Sequence, residues 1–118
     1  MPTVKATREG LLGSMMASHV RVDLQLPFVA LPSVRALYRF VRVTNALTKE
    51  STMAIVLDVG PWNTHDDIYV FGDARPQAET GIDTRGRATN HAGIDLSETV
   101  WAALGMVDNT TVTWEFLN

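Results

Sequence analysis

The stretch V-L-D-V-G-P-W, residues 56 to 62, decides how this chain is read. An apolar run stops at one carboxylate, turns at Gly60-Pro61 and ends on an indole. Two explanations compete for Asp58. A carboxylate beside a tight turn can accept hydrogen bonds from the turn's own backbone. It can equally be an acid placed at the mouth of a groove, where burial raises its pKa and keeps a proton on it near neutral pH. The sequence around it sets the terms of that choice.

Upstream of the turn, residues 52–58 (T-M-A-I-V-L-D) are nearly continuous in apolar character, as in a strand covered on both faces. Before it, residues 38–44 (Y-R-F-V-R-V-T) alternate bulky apolar with basic residues. The pattern puts Tyr38, Phe40 and Val43 in imperfect register, with Val41 breaking the period. The linking N-A-L-T-K-E-S supplies hairpin-turn chemistry through Asn45, Lys49 and Glu50. Near the C-terminus residues 111–117 (T-V-T-W-E-F-L) alternate cleanly, with Val112, Trp114 and Phe116 on one side. Phe28–Leu31, bracketed by Pro27 and Pro32, predicts a short or edge strand, and S-V-R-A-L-Y after it a helical turn or two. His19–Val22 and Val4–Thr7 are further short strand candidates.

One helix is well signalled, in D-L-S-E-T-V-W-A-A-L-G. Ser97 or Asp95 can cap it, Glu98 favours its positive end, Gly105 stops it, and Val100, Trp101 and Leu104 face the core. Between Trp62 and Ala92 periodicity disappears except for the strand-like Ile68–Phe71, and irregular segments of that length in small domains are characteristically functional or disordered. The pattern as a whole is mainly β with one short helix, a small barrel and not a sandwich.

At 118 residues the chain is long enough for one core and too short for two ordinary domains. A formal net charge of −3 leaves no basic footprint, so nucleic acid is not an expected partner. Apolar runs fall far short of the roughly 18 residues of a membrane span. Without cysteine, disulfides, thiolate chemistry and Cys-based zinc sites are excluded. The N-terminal M-P-T-V-K-A-T-R-E-G-L-L-G-S-M-M lacks the apolar segment of a signal peptide, so either export does not use one or the sequence begins after a removed leader.

The ordered pieces F-V-R-V-T-N, I-V-L-D-V-G-P-W, G-I-D-L-S-E-T-V-W-A-A-L-G-M and T-V-T-W-E-F resemble the double-psi β-barrel of the rare lipoprotein A family, which is related to expansins and family-45 endoglucanases. In that family a strand ending V-R-V-T-N leads into an apolar strand closing N-D-R-G-P, followed by I-D-L-S, a short helix ending A-L-G-M and a last strand. Here the matches are Val41 to Asn45, Asp58 with Gly60 and Pro61, Ile94 to Ser97, and Ala103 to Met106, over roughly residues 38 to 118. The chain departs from the pattern in two places. The stretch after Gly-Pro is long, and the upstream histidine of the lytic members, in an A-A-H context, has no counterpart in Val29-Ala30-Leu31-Pro32, His19 lying a dozen residues earlier.

The resemblance implies a single domain over 1–118, a six-stranded double-psi β-barrel with one or two short helices and a 63–91 loop insertion. It places Asp58 as the acid that protonates the leaving oxygen of a glycosidic bond. Trp62 offers an aromatic face for a sugar ring, Asp66 and Asp67 are candidates for a second carboxylate in the groove, and Asp95 lies either in the same groove or at the start of the helix in a structural role. Inverting hydrolysis needs a second carboxylate roughly 6.5–9.5 Å away, whereas a lytic transglycosylase can use one acid because the sugar's own hydroxyl attacks. The cluster His65-Asp66-Asp67 with His91 offers ligand types but meets no metal spacing rule, so neither metal nor cofactor is expected. Arg75, Arg85 and Arg87 share the loop with Asp73, Glu79 and Asp83 and are expected to pair with them, contact with an anionic glycan being the sharper alternative. The expected function is binding, and with Asp58 active also cleavage, of a peptidoglycan-like polysaccharide at the cell envelope or outside the cell. The alternative is a non-catalytic carbohydrate-binding or assembly module, of an envelope or phage particle, that keeps the barrel alone. Oligomeric state is not legible.

Overall fold

The computed structural model describes residues 3–9, 13–23, 25–107 and 111–117. Six strands, β1 (Val4–Arg8), β2 (Phe28–Leu31), β3 (Phe40–Asn45), β4 (Ser51–Val59), β5 (Ala92–Leu96) and β6 (Thr111–Phe116), close into a barrel in the order β1-β5-β2-β4-β3-β6. Two short helices, α1 (Asp67–Val70) and α2 (Glu98–Ala103), complete a mainly β fold. The pairs β1·β5 and β2·β4 are parallel and the other four antiparallel. This is the architecture expected from the ordered pieces.

Closure removes sheet edges, and it explains why so short a strand as β2 is buried throughout: it lies between β4 and β5. The near-continuous apolar run of β4 has two faces to fill. Ala54 and Val56 join the main core with Val29, Leu31, Val41, Val43, Ile94, Leu96 and Val112. Ile55 and Leu57 join a second cluster on the outer side, formed with Phe28, Met16 and Val22. Segment 13–23 supplies the last two residues and lies across this side as a strap. Ser18 N–H donates to Leu57 O at 3.0 Å, and a single bridge joins Met15 to Arg21.

The hairpin β3–β4 turns at Asn45, which is buried. Its Nδ2 donates to Leu104 O at 2.8 Å while its Oδ1 accepts from the Leu47 amide at 2.9 Å. Helix α2 starts at Ser97, whose Oγ accepts from Val100 N–H at 3.3 Å and from Phe28 N–H at 3.1 Å. Val100, Trp101 and Leu104 are buried as their spacing requires.

Four expectations need correction. Asp95 is not the helix cap; it lies within β5, a strand that its glycine and aspartate disguise and that pairing on both sides enforces. Ile68–Phe71 is not a strand: Asp67–Val70 makes one helical turn, which buries Tyr69 and Val70 and leaves Ile68 73% exposed. Val41 and Val43 point inward on β3, so Tyr38 and Phe40 stand outside at 58% and 45% exposure. His19–Val22 contributes only the isolated bridge at Arg21.

Candidate functional site

A bulge in the β2·β4 pairing answers the question of Asp58. Val29 pairs with Val56 but Ala30 pairs with Asp58, so Leu57 is the extra residue. Such an insertion rotates the following side chain to the other face. Asp58 therefore turns away from the barrel core and shares a face with Ala30. On the opposite side of Ala30 the antiparallel partner is Asp95, and the parallel partner of Asp95 on β1 is Thr7. Thr7, Asp95, Ala30 and Asp58 thus form one row across four adjacent strands on the outer face.

The row is closely bonded. Thr7 Oγ1 donates to Asp95 Oδ1. Asp58 Oδ1 accepts from the Ala17 amide of the strap and from the Val59 amide, both at 2.9 Å. Glu9, just past the end of β1 and held to β5 by its N–H donating to Leu96 O at 2.8 Å, brings a third carboxyl into hydrogen-bond reach of Asp58. Glu9 Oε2 is buried with no donor facing it. Two ionised carboxylates are both acceptors, so this contact becomes a hydrogen bond only when one of them carries a proton.

The electrostatics point the same way. Burial pushes the Glu9 carboxyl up to about 9, helped by the hydrogen bond to Asp58 and the charges of Asp58 and Asp95. Burial likewise pushes Asp95 up to about 6, with the Thr7 hydroxyl opposing the shift and Asp58 adding to it. At neutral pH the site therefore holds a protonated acid against ionisable carboxylates, the condition for general acid work. Sequence reading missed Glu9. Its only signal is its position two residues beyond Thr7, which carries meaning once β1 is known to lie beside β5.

Trp62 follows the cis Gly60–Pro61 peptide in a left-handed conformation at φ 70°. Its Nε1 donates to Asn90 Oδ1 at 2.9 Å and its carbonyl accepts from Arg87 Nη2 at 3.2 Å, so the half-buried ring is fixed in place. A bulky residue at positive φ persists only where its surroundings over-determine it. Asp66 and Asp67 have other work. Asp66 Oδ2 accepts from Gln77 N–H at 2.8 Å, and Asp67 accepts from Ser33 Oγ and Arg35, the Ser33 hydroxyl above all holding its carboxyl below the usual range. The carboxyls on which the Asp58 charge acts are Glu9 and Asp95.

Of the arginines in the 63–91 stretch, Arg75 pairs with Glu79 and Arg87 Nε with Asp83 Oδ2 at 2.6 Å, while Arg85 meets Asp83 through its backbone N–H at 2.9 Å. Among the described residues no three His, Asp or Glu side chains converge as a metal ligand set. A groove of about 390 Å³ lies elsewhere, walled by Tyr69, Phe71, Trp114 and Phe116 with Arg39. The cover over Asp58 is the strap, through Ala17.

With fold and site described, the chain can be placed among known proteins. It is a closed six-stranded barrel with an acid row on its outer face, and it is similar in fold to the Streptomyces papain inhibitor (SPI), at a TM-score of 0.55 and 19% identity over 99% of this chain and 94% of that one. Residues 2–115 match the model of a domain of unknown function, DUF8814, and the chain belongs to that family. No curated protein matches it.

Proposed function

We propose that this barrel binds a peptidoglycan-like glycan at the cell envelope and cleaves it with Asp58 as the acid, in the manner of a lytic transglycosylase. The observation that carries the reading is the bulge that turns Asp58 into one row with Asp95, since a carboxyl with only a turn to close needs no such partner. The reaction is balanced without water. The acid gives its proton to the glycosidic oxygen as the bond to C1 breaks, the sugar's own C6 hydroxyl attacks C1 to close an anhydro ring, and the hydroxyl proton returns to the carboxylate. Trp62, pinned through Asn90 and Arg87, supplies a fixed face for a sugar ring.

A second reading, a non-catalytic binding or assembly module, is favoured by one specific fact: Asp58 Oδ1 already accepts two backbone N–H groups and so stitches the strap to β4. The barrel of similar fold named as a papain inhibitor is consistent with a scaffold whose surface binds without cleaving.

Incubation of purified peptidoglycan with wild type and Asp58→Asn separates the two. Soluble fragments with anhydro ends from wild type alone support cleavage. Co-sedimentation without release supports the binding module, and neither release nor co-sedimentation sinks both.

A further inference from the structure

The carboxyl of Glu9 is used by nothing described so far. It is tied to the site by geometry: Glu9 lies one residue past β1 with its N–H donating to Leu96 O of β5 at 2.8 Å, its Oε2 is buried without a donor, and the carboxyl of Asp58 lies within its reach. The charged groups that act on it are Asp58 of β4 and Asp95 of β5, both acidic. The nearest cations in sequence are taken: Arg8 is held by Glu98, Lys5 donates to the Asn90 carbonyl, and Arg21 of the strap donates to the Gly13 carbonyl. A carboxylate in that setting has no counter-charge, and a proton is what satisfies it.

We propose that Glu9 is a positioning residue that shares one proton with Asp58, so that the pair, and not Asp58 alone, is the acid–base unit of the site. This rests on the glycan-cleavage reading above. With Asp58 Oδ1 held by the Ala17 and Val59 amides, its second oxygen is left to meet Glu9 or a substrate. The pair begins with one proton over two carboxyls. Asp58 delivers it to the leaving oxygen, both carboxyls are then ionised side by side, and the C6 hydroxyl of the sugar restores the proton as it attacks. Repulsion between the two charges drives that return. The inventory closes with no co-reactant.

Two measurements test this, one independent of activity. Carbon-13 NMR of the glutamate side chains follows the titration of Glu9 directly. A step near pH 9 in wild type that moves down in Asp58→Asn, while burial still holds it above the ordinary carboxylate range, supports the shared proton. A step at the ordinary value in wild type overturns it, whatever the peptidoglycan assay returns. The second measurement is the pH profile of anhydro-sugar release by wild type and Glu9→Gln. Glutamine keeps the shape and a donor but cannot exchange a proton. The alkaline limb therefore moves down from near 9 by four or more units, a loss of at least about a hundredfold at pH 7 with residual activity on the acid side. An unmoved limb in a folded Glu9→Gln variant overturns the role. If wild type releases nothing while Glu9 still titrates high, the glycan reading fails and the catalytic role of the pair fails with it, leaving the shared proton as a feature of the fold.

Discussion

Asp58 and Asp95 stand on either side of Ala30, in one row across three strands, although 37 positions separate them in the chain. The residue between them, Ala30, is fully buried and brings no polar group of its own side chain into the row. Glu9 reaches the same row from the end of β1, and the result is three carboxyls on one outer face with no cation among the groups acting on Glu9.

That arrangement makes stability depend on pH in an unusual direction. The carboxyl of Glu9 is raised from 4.5 to about 9, so between those values the folded chain binds more protons than the unfolded one. Stability is then highest at the acid end and falls as pH rises toward 9. Asp95, raised from 3.8 to about 6, adds a loss over the lower part of that range. Denaturant midpoints at pH 5, 7 and 9 should decline in wild type, and the decline should be distinctly shallower in Glu9→Gln. A midpoint that climbs with pH would contradict the burial of the pair.

Ser97 joins two elements through one hydroxyl, capping α2 at Val100 and accepting from the buried Phe28 amide. Ser97→Ala should lower unfolding free energy by about 1–3 kcal/mol, since it removes a cap and orphans a buried N–H together. Urea denaturation checks it, and a neutral result would show that water replaces the hydroxyl.

Gly93 lies where the loop closes on the barrel. A Cβ there would meet Pro76 Cγ at 2.8 Å, Tyr69 Oη at 3.1 Å and Val4 Cβ at 3.1 Å, and Tyr69 OH donates to the Gly93 carbonyl at 3.0 Å. Gly93→Ala should destabilise by about 1–3 kcal/mol through overpacking, read as a lowered melting temperature. Tyr69→Phe should destabilise too, because it leaves both the Gly93 carbonyl and the Trp114 indole N–H, now 2.8 Å from the hydroxyl, without their partner.

For ligand binding the expected contrast is between Trp62 and the two loop aspartates. Trp62→Ala should weaken co-sedimentation with peptidoglycan about tenfold, the equivalent of roughly 1.4 kcal/mol. Asp66→Asn should leave release within about twofold, because its carboxylate is occupied by the Gln77 amide. Equal binding by Trp62→Ala and wild type would remove the indole from the site.

Much of the fold was legible because it rests on local chemistry. The run 52–58 showed β4 covered on both faces, the alternation at 111–117 showed β6, and Ser97 with Gly105 bounded α2. What was hidden depends on contacts remote in sequence. β5 is a strand only because β1 and β2 flank it. The direction of Asp58 depends on one extra residue opposite Val29 and Ala30, which no periodicity displays. Glu9 has no motif of its own, and its relation to Asp58 spans half the chain. Tyr69 and Val70 read as a strand by composition but form a helical turn, because packing overrides so short a propensity.

The most direct test of the account is the mass spectrum of the soluble products when purified peptidoglycan is incubated at neutral pH with wild type and with folded Asp58→Asn. The account predicts fragments one water lighter than hydrolysis would give, released by wild type and absent with Asp58→Asn. Release in equal yield by both proteins, or by neither, would contradict it.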